Sequence, residues 1–228
     1  MDAVQPPDAA VGDARNGVPL CAEFVNALPV AGASITVFGR AGAQLTICAS
    51  DAVAARGDSL QFELGEGPHW QSLATGKPVL CSDLAEPPPE WSIFAAAARE
   101  IGMGSVFAFP LTMGAVVFGA VDLYGLTTQM LEPDEVSLAA SMAGRVTAQA
   151  VSLATLSAND PASTEHRMAP ALRREVHQAT GMIQVQLNSS ATEAFARLRA
   201  HAFSSGRAME DIARDVVARR LDFSELPD

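Results

Sequence analysis

Short apolar segments rich in β-branched and aromatic residues recur through the first 125 residues of the chain, between polar and glycine-containing turns, and this pattern predicts β-strands. Glycine-containing turns join two pairs of these segments, which predicts hairpins and an antiparallel sheet. Helical composition fills the segments between them, so this part of the chain is predicted to be an α+β domain. The predicted strands are 34–38, 44–49, 79–81, 105–110 and 116–124, and the predicted helices are 20–28, a short one from 68 onwards and 92–101.

A long helix is predicted from Pro133, because proline suits a first helical turn and two acidic residues follow it. Its apolar residues are spaced alternately by three and four positions, which is typical of a helix-packing seam. Packing on the chain's own sheet and pairing with a second copy both fit this spacing. The small alanines favour a homodimer through the long helix. The seam comprises Val136, Ala139, Ala143, Val146, Ala150 and Leu153.

Three further helical patterns occupy residues 169–221, after a polar segment containing Pro161. Ser190 and Glu193 have the spacing of a capping box and mark the start of the second helix. The turn before the third helix is predicted at 204–206. A three-helix domain of this size buries little apolar surface, so we expect it to lean on the long helix or on a partner. The apolar positions predicted to face inwards are Leu172, Val176, Ala179, Ile183, Leu187, Ala194, Phe195, Leu198, Ala202, Met209, Ile212, Ala213, Val216 and Val217.

These patterns divide the chain into four parts. Residues 1–18 are rich in proline, alanine and aspartate and are predicted to form a disordered arm. Residues 19–156 form the α+β domain, which ends in the long helix. A linker is predicted at 157–166, followed by an all-α domain at 167–222.

Charge is distributed unevenly over these parts. The chain has a net charge of −11, which argues against non-specific nucleic-acid binding by the whole molecule. Residues 166–221, however, contain nine arginines, five acidic residues and no lysine. The planar donor fork of arginine suits phosphates and guanine edges. The all-α domain is therefore a candidate nucleic-acid binder, with an ordinary solvated helical surface as the alternative.

The sequence also indicates the cellular compartment of the protein. It contains no run of about 18 apolar residues that would predict a membrane helix, and its first residues lack the apolar core of a secretory signal. Cys21, Cys48 and Cys81 are scattered and odd in number, so they predict neither a disulfide framework nor a zinc site. We therefore expect a cytoplasmic protein with reduced cysteines.

Five short motifs in the all-α domain occur in one order: Gln178-Ala179-x-Gly181, Glu193-Ala194-Phe195, Leu198-Arg199, Ser204-Ser205-Gly206-Arg207 and Asp211-Ile212-Ala213. Together they make the run 173–213 resemble an ANTAR domain, the RNA-binding module of transcription antitermination regulators. The resemblance implies a protein that is dimeric when active, binds two small stem-loops in a nascent transcript and prevents the terminator hairpin from forming. Thr180 and Gly206 depart from the family, which usually has a basic residue and asparagine there.

The resemblance also implies roles for individual residues. Arginines would hold phosphates or a guanine edge, whereas Gln178 and Ser205 would read base edges. Gly181 would permit close approach of RNA or close packing of a helix. Phe195 is predicted to be a core residue, and Phe203 either a core residue or a stacking platform. The candidate RNA-binding residues are Arg173, Arg174, Gln178, Thr180, Gly181, Arg199, Ser204, Ser205 and Arg207.

The first domain carries its own motifs: Gly65-Glu66-Gly67-Pro68, Ala74-x-Gly76-Lys77-Pro78-Val79 and Ser82-Asp83-Leu84. With strand 116–124 and the helix after it, these motifs resemble a GAF domain. The resemblance implies a sensory module with a small-molecule pocket beside the sheet. A GAF domain followed by an ANTAR domain resembles a common actinobacterial regulator arrangement. The candidate pocket residues, for an unknown ligand, are Phe62, His69, Trp70, Trp91, Phe107 and Phe109.

Catalytic chemistry is not indicated. The sequence shows no Ser/His/Asp set, phosphate-binding loop or histidine-kinase signature. Some GAF domains use cysteines for redox catalysis or bilin attachment, so Cys48 and Cys81 are redox candidates, and His69 is a candidate haem ligand. Buried cysteines and lone histidines are more commonly structural. We therefore expect no catalytic residues, no bound metal and no cofactor.

The leading hypothesis is an RNA-binding antitermination regulator whose GAF domain controls its ANTAR domain. The alternative is a ligand-responsive DNA-binding regulator, because the second and third helices resemble a helix-turn-helix. Glu210, Asp211 and Asp215 are predicted on the outer side of the third helix, where they would repel DNA. A GAF redox enzyme is the least favoured alternative.

Overall fold

The computed structural model describes residues 18–38, 44–159 and 170–226. The predicted arm up to residue 17, the turn of the first hairpin and residues 160–166 of the predicted linker lie outside this part. The described helices are α1 (Val18–Ala27), α2 (Ala52–Leu64), α3 (Pro68–Thr75), α4 (Ser92–Glu100), α5 (Pro133–Asn159), α6 (Pro170–Leu187), α7 (Ala191–Ser205) and α8 (Met209–Val217). The strands are β1 (Gly32–Phe38), β2 (Gln44–Ala49), β3 (Val79–Cys81), β4 (Ser105–Met113) and β5 (Val116–Gly125).

The five described strands form an antiparallel sheet in the order β2–β1–β5–β4–β3. β1 pairs with its hairpin partner β2 on one side and with β5 on the other, so the last strand lies at the centre. This register places Ser34 opposite Asp122 and Thr36 opposite Ala120. The predicted α+β fold around an antiparallel sheet is confirmed.

Both faces of the sheet are covered by helices. Successive side chains of a strand point to opposite faces, and the apolar face packs against α1 and α5 in a core that includes Phe24, Phe109 and Leu123. The other face packs against α2 and α3, and α4 belongs to a core cluster with Val106 and Tyr124 of this face. Its central positions include the polar residues Thr36 and Asp122, which are buried. One face of these strands therefore lines an apolar core and the other lines a buried polar layer. Neither set of central side chains faces solvent.

The polar layer consists of paired side chains. Thr36 Oγ1 and Thr46 Oγ1 donate to the two carboxylate oxygens of Asp58 on α2, at 2.9 and 2.7 Å. His69 Nδ1 on α3 lies 2.7 Å from Asp122 Oδ2 on β5. All five side chains are buried. Since a buried carboxylate is costly unless it is hydrogen-bonded, these contacts fix α2 and α3 on the sheet.

α5 extends to Asn159 and so takes up the first three residues of the predicted linker. Its predicted seam is covered by the chain's own sheet and α1, because Ala139, Ala143, Ala150 and other seam residues belong to the apolar core. The interpretation of this seam as a dimer interface is therefore corrected: these residues are core residues. None of the described helices, α5 included, is both long and apolar enough to cross a membrane.

α6, α7 and α8 pack into a three-helix domain, as the apolar periodicity predicts. The predicted capping box is confirmed, because Ser190 Oγ accepts from Glu193 N at 3.2 Å and the Glu193 carboxylate accepts from Ser190 N at 2.9 Å. The support expected from the long helix comes instead from α2. Phe62 of α2 is buried in the core of the three-helix domain, with its ring 5.1 Å from that of Phe195.

Cys21 of α1 and Cys48 of β2 form a disulfide, so the expectation of three reduced cysteines is wrong. Their Cα atoms are 6.1 Å apart although the residues are 27 positions apart in the sequence. The β1–β2 hairpin returns the chain to α1, and this long-range placement is not visible in cysteine spacing. Cys81 is free and buried.

Reduction of this disulfide is expected to lower the free energy of unfolding by about 3 kcal/mol, because the cross-link restricts the unfolded chain. The measurement is urea unfolding, followed by circular dichroism, with and without dithiothreitol. The double variant C21A/C48A serves as the control, since it should resemble the reduced protein and not respond to dithiothreitol. An unchanged unfolding midpoint of the reduced wild-type chain would contradict the prediction.

Candidate nucleic-acid interface

The end of α7 and the turn before α8 hold four candidate RNA-binding residues, Arg199, Ser204, Ser205 and Arg207. Gly206 ends α7 with a φ of 63°, a left-handed conformation that glycine adopts readily. Both serines and Arg207 are exposed, whereas Arg199 is partly buried. One corner of the C-terminal domain therefore presents hydroxyl and guanidinium groups together.

Three arginines of α8 and its flanking turns form ion pairs within the C-terminal domain. Arg207 and Arg220 both bind Asp215, each at 2.7 Å, and Arg214 binds Asp211 at 2.7 Å. The two guanidinium groups hold the pKa of Asp215 below its usual value. Because these pairs are exposed to solvent, they add little to stability and can be exchanged for contacts with phosphate. The cationic surface expected from the sequence is thus partly neutralised in this arrangement.

Arg199 contacts the N-terminal domain. Its Nη1 donates to Leu64 O at the C-terminal end of α2, at 3.3 Å. Gly65 follows with a φ of 66°, and a Cβ at this position would collide with the guanidinium. The negative end of the α2 dipole favours a cation here. A candidate phosphate-binding arginine is therefore held against the end of α2.

The candidate residues on α6 lie in different environments. Gln178 and Gly181 are exposed, and a Cβ at Gly181 would meet open space, so close helix packing does not explain this glycine. Thr180 is buried, and its hydroxyl donates to a backbone carbonyl of its own helix at 2.7 Å. This candidate RNA-binding residue therefore lies inside the domain and not on its surface. The side chains of Arg173 and Arg174 lie outside the described residues.

Two phenylalanines of α7 differ in burial. Phe195 packs against Phe62, as predicted for a core residue. Phe203 is 73% exposed, so its ring can stack on an unpaired base. An exposed aromatic ring beside Arg207 is the kind of surface that single-stranded RNA requires.

Glu210 of α8 belongs to the contact between the domains and not to the outer side of its helix, where it was predicted. It is 8% exposed and interacts with Glu63 of α2. Burial of Glu63 and the nearby charge of Glu210 raise the pKa of Glu63 to about 7, against the lowering effect of its ion-pair partner Arg56. Two acidic side chains therefore meet where the two domains pack.

Stability is expected to depend on pH through Glu63. Its pKa of about 7 in the folded chain is above the ordinary value of 4.5, so the folded state retains a proton that the unfolded state releases. The free energy of unfolding is therefore higher at low pH. It falls as pH rises towards 7, by at most about 3 kcal/mol. Urea unfolding across this pH range should show a smaller decrease in the free energy of unfolding for E63Q than for the wild-type chain. Parallel pH profiles of the two proteins would contradict the assignment.

Four of the six candidate pocket residues are parts of separate cores. Phe107 and Phe109 pack with α1 and α5, Trp91 packs beside α4, and Phe62 packs with the C-terminal domain. They do not line a common cavity.

His69 and Trp70 lie together at the start of α3, beside α2. Gln61 Oε1 accepts from His69 N at 2.8 Å, and Gln61 O accepts from Trp70 Nε1 at 2.7 Å. His69 Nε2 and Asp122 Oδ1 have no hydrogen-bond partner among the described residues. The cavity between α2 and the sheet, which Asp122 and Gln61 line, has a volume of about 10 Å³, room for about one water molecule. Side chains therefore fill most of the space beside the sheet.

The two redox candidates are not activated nucleophiles. Cys48 is bonded to Cys21. Burial raises the pKa of the Cys81 thiol, and its Sγ donates to Asp83 O at 3.3 Å. A raised pKa lowers the fraction of thiolate, which is the reactive form. Within the described ranges, no three side chains of the metal-ligating types form a cluster that could hold an ion.

α2 is the element that the sequence analysis missed, although it supplies Phe62 to the domain contact and Asp58 to the polar layer. Its apolar periodicity is weak because Gly57 and Asp58 are among its buried residues. The signal that could have revealed it is its pair of caps. Asp51 accepts from a backbone N–H of the first turn, and Gly65 ends the helix.

Comparison with protein families matches both domains. The GAF-domain profile matches residues 20–150, more than half of the chain, so the chain belongs to the GAF-domain family. The ANTAR-domain profile matches residues 165–217, which include the three-helix domain. The protein is therefore a regulator in which an ANTAR domain follows a GAF domain. Comparison with curated proteins gave no significant match.

Solved structures similar to the chain include isolated GAF domains. The cyanobacteriochrome TePixJ GAF domain is 14% identical, with a TM-score of 0.49 over 65% of this chain and 99% of that one. The second GAF domain of DevS from Mycobacterium smegmatis is 12% identical, with a TM-score of 0.44 over 65% of this chain and 100% of that one. The type II free methionine-R-sulfoxide reductase from Thermoplasma acidophilum is also 12% identical, with a TM-score of 0.44 over 62% of this chain and 97% of that one.

Proposed function

We propose that this protein is an RNA-binding transcription antitermination regulator. Its ANTAR domain would bind paired stem-loops in a nascent transcript, hold the antiterminator form and so prevent the terminator hairpin. The observation that carries the proposal is the ANTAR match over residues 165–217. Because nascent transcripts are the partner, the proposed location is the cytoplasm.

The corner at the end of α7 suits unpaired RNA. Loop bases are splayed out and can stack on an aromatic ring, and Phe203 offers one at 73% exposure. Arg207, which is 47% exposed, can exchange Asp215 for a phosphate. The exposed Ser204 and Ser205 lie in the last turn of α7, and because their hydroxyls donate to the carbonyl of His201, they can accept hydrogen bonds from base edges. Gln178 and Gly181 on the exposed side of α6 would extend this surface.

The GAF domain would control RNA binding through α2. In the arrangement described, Phe62 is inserted into the ANTAR core and Arg199 is bound to Leu64 O. Release of α2 would make Arg199 accessible to a phosphate. A signal molecule that binds one of the two arrangements more tightly than the other shifts the equilibrium between them, and the change in RNA affinity is at most the ratio of its two affinities.

A homodimer would use the exposed side of α5, since the buried side forms the core. Leu138 is 40% exposed, and Gly144 is exposed and would leave room for close approach. Two linked ANTAR domains would bind paired loops with greater avidity than one. Light scattering of the wild-type chain and of L138E tests this: a dimer that L138E dissociates supports the interface.

Arg199→Ala and Arg207→Ala are each expected to weaken binding of an RNA stem-loop by about 1–3 kcal/mol and to reduce the salt slope by about one. The reason is loss of one phosphate or guanine contact per variant. Fluorescence anisotropy with labelled RNA over a salt series is the measurement. Arg214→Ala is the matched control, since it removes an equal charge from α8 at a position outside the candidate surface. Equal affinities for all four proteins would remove both arginines from the interface.

Sequencing of the transcripts that copurify with the full chain from cells tests the proposed class. A shared motif of two stem-loops upstream of terminators is expected. Enrichment of one duplex DNA sequence in place of RNA would favour the DNA-binding alternative, which the helix-turn-helix likeness of α7 and α8 suggests.

A further inference from the structure

A cavity of about 370 Å³, open to solvent on one side, lies between the two domains, with α2 and α4 on one side and α7 and α8 on the other. This volume is within the range of sites that hold small organic ligands. It is far larger than the space of about 10 Å³ between α2 and the sheet. The interdomain cavity, as we call it, is thus the larger of these two spaces for a small molecule.

Two large apolar side chains that line the interdomain cavity are exposed to solvent. Ile93 of α4 is 52% exposed and Phe203 of α7 is 73% exposed, and both line the interdomain cavity. They belong to different domains, so one apolar ring system placed between them would remove surface of both from solvent. Burial of apolar surface on both sides favours such an occupant over a purely polar one.

The charged groups of the cavity favour a negative ligand. Arg199 uses Nη1 for its bond to Leu64 O, and Arg207 uses Nη2 for its pair with Asp215. A guanidinium has five N–H donors, so both arginines retain donors that can face a ligand.

The two acidic residues of the lining already have partners. Glu66 accepts from Phe94 N at 2.8 Å, at the start of α4. Glu63 is paired with Arg56 and interacts with Glu210, and its raised pKa of about 7 reduces its negative charge near neutrality. The N–H donors that the cavity offers to a ligand are therefore mainly those of the two arginines.

We propose that the interdomain cavity binds a small organic anion with an apolar ring system, whose acidic group contacts Arg199 and Arg207 and whose ring contacts Ile93 and Phe203. Such a ligand touches both domains, so it stabilises their packed arrangement by linkage. A regulatory consequence rests on the proposed function: because Arg199, Arg207 and Phe203 are also proposed to contact RNA, ligand and RNA exclude one another. The ligand would then hold the regulator in its RNA-free state.

Isothermal titration calorimetry of the full chain with naphthoate, and with uncharged naphthamide, tests the binding site. Naphthoate is expected to bind at least about tenfold more tightly than naphthamide, because charge-assisted hydrogen bonds to arginine require the carboxylate. Arg199→Gln, Arg207→Gln and Phe203→Ser should each weaken naphthoate binding by about tenfold. Equal affinity for naphthoate and naphthamide, or no binding up to the solubility limit of naphthoate, would overturn the proposal.

Matched controls separate this site from general hydrophobic binding. Val185→Ser changes an apolar side chain of α6 that is 82% exposed, and Arg214→Gln removes a half-exposed guanidinium of α8. Neither residue lines the cavity, so both variants should bind naphthoate like the wild-type chain. Loss of binding in either control, at unchanged thermal stability, would place the ligand elsewhere.

The regulatory consequence has a separate readout. Saturating naphthoate is expected to raise the Kd of the full chain for an RNA stem-loop, and naphthamide at the same concentration is not. An unchanged RNA affinity at saturating naphthoate would overturn the competition. Failure to bind RNA with or without naphthoate would instead overturn the proposed function, and the calorimetry would still decide the binding site.

Discussion

Asp122→Ala is expected to lower the free energy of unfolding of the chain by about 3–5 kcal/mol, because removal of one partner from a buried pair leaves the other without compensation. Asp122 Oδ2 lies 2.7 Å from Nδ1 of His69, and the two side chains are 8% and 1% exposed. In the variant, Nδ1 of the buried His69 ring would lose the carboxylate that it contacts. Urea unfolding near neutral pH, followed by circular dichroism, measures the loss.

Glu86→Ala is the control for this prediction, since it removes an exposed carboxylate from a loop and should change stability by less than about 0.5 kcal/mol. Asp122→Asn retains the shape and a hydrogen-bonding oxygen, so it should lose less than Asp122→Ala. If Asp122→Ala unfolds at the same urea concentration as Glu86→Ala, the pair does not hold α3 on the sheet.

Phe62→Ala is expected to cost about 3–5 kcal/mol, the usual range for deletion of a buried phenylalanine ring. Phe62 is 4% exposed and is buried among residues of the ANTAR domain, although it belongs to α2 of the GAF domain. Its loss should loosen the domain contact as well as leave a cavity. Hydrogen exchange of α7 amides, measured beside urea unfolding, should therefore become faster.

Phe203→Ala provides the matched control, because it deletes the same ring from a site that is 73% exposed. It should leave both the unfolding free energy and the exchange of α7 amides within experimental error of wild type. Equal stability of the two variants would show that Phe62 is not a structural link between the domains.

Local chemistry made much of the fold predictable. The predicted bounds of β2 and β3 coincide with the observed strands, because β-branched residues and flanking turn residues mark both ends. The capping box of Ser190 and Glu193 is another local signal that the structure confirms. The apolar stripes of α6, α7 and α8 placed their core residues correctly wherever the side chain is described, since helical period decides which side faces inwards; the side chain of Leu172 lies outside the described residues.

Features that depend on contacts distant in sequence were not predictable. Cys21 meets Cys48 only after the first hairpin has formed. Arg199 binds Leu64 O, 135 positions earlier in the chain, and no spacing rule connects them. Thr180 illustrates a second limit: a hydroxyl that donates to a carbonyl of its own helix can be buried, so a polar side chain in an RNA-binding motif need not lie on the surface.

The candidate RNA surface is therefore only partly the one that the sequence suggested. Ser204, Ser205 and Arg207 are exposed at one turn, whereas Arg199 is held by the GAF domain. The ion pairs of Arg207 and its neighbours mean that RNA must displace carboxylates before it gains phosphate contacts. Affinity of the packed arrangement for RNA is consequently expected to be lower than the count of arginines implies.

Fluorescence anisotropy of the full chain with an RNA of two stem-loops, compared with duplex DNA of the same stem sequence, tests the central claim most directly. We expect the chain to bind the RNA at least about 100-fold more tightly than the DNA, with affinity falling as salt rises. Equal affinity for the two nucleic acids, or no binding of the RNA at low salt, would contradict it.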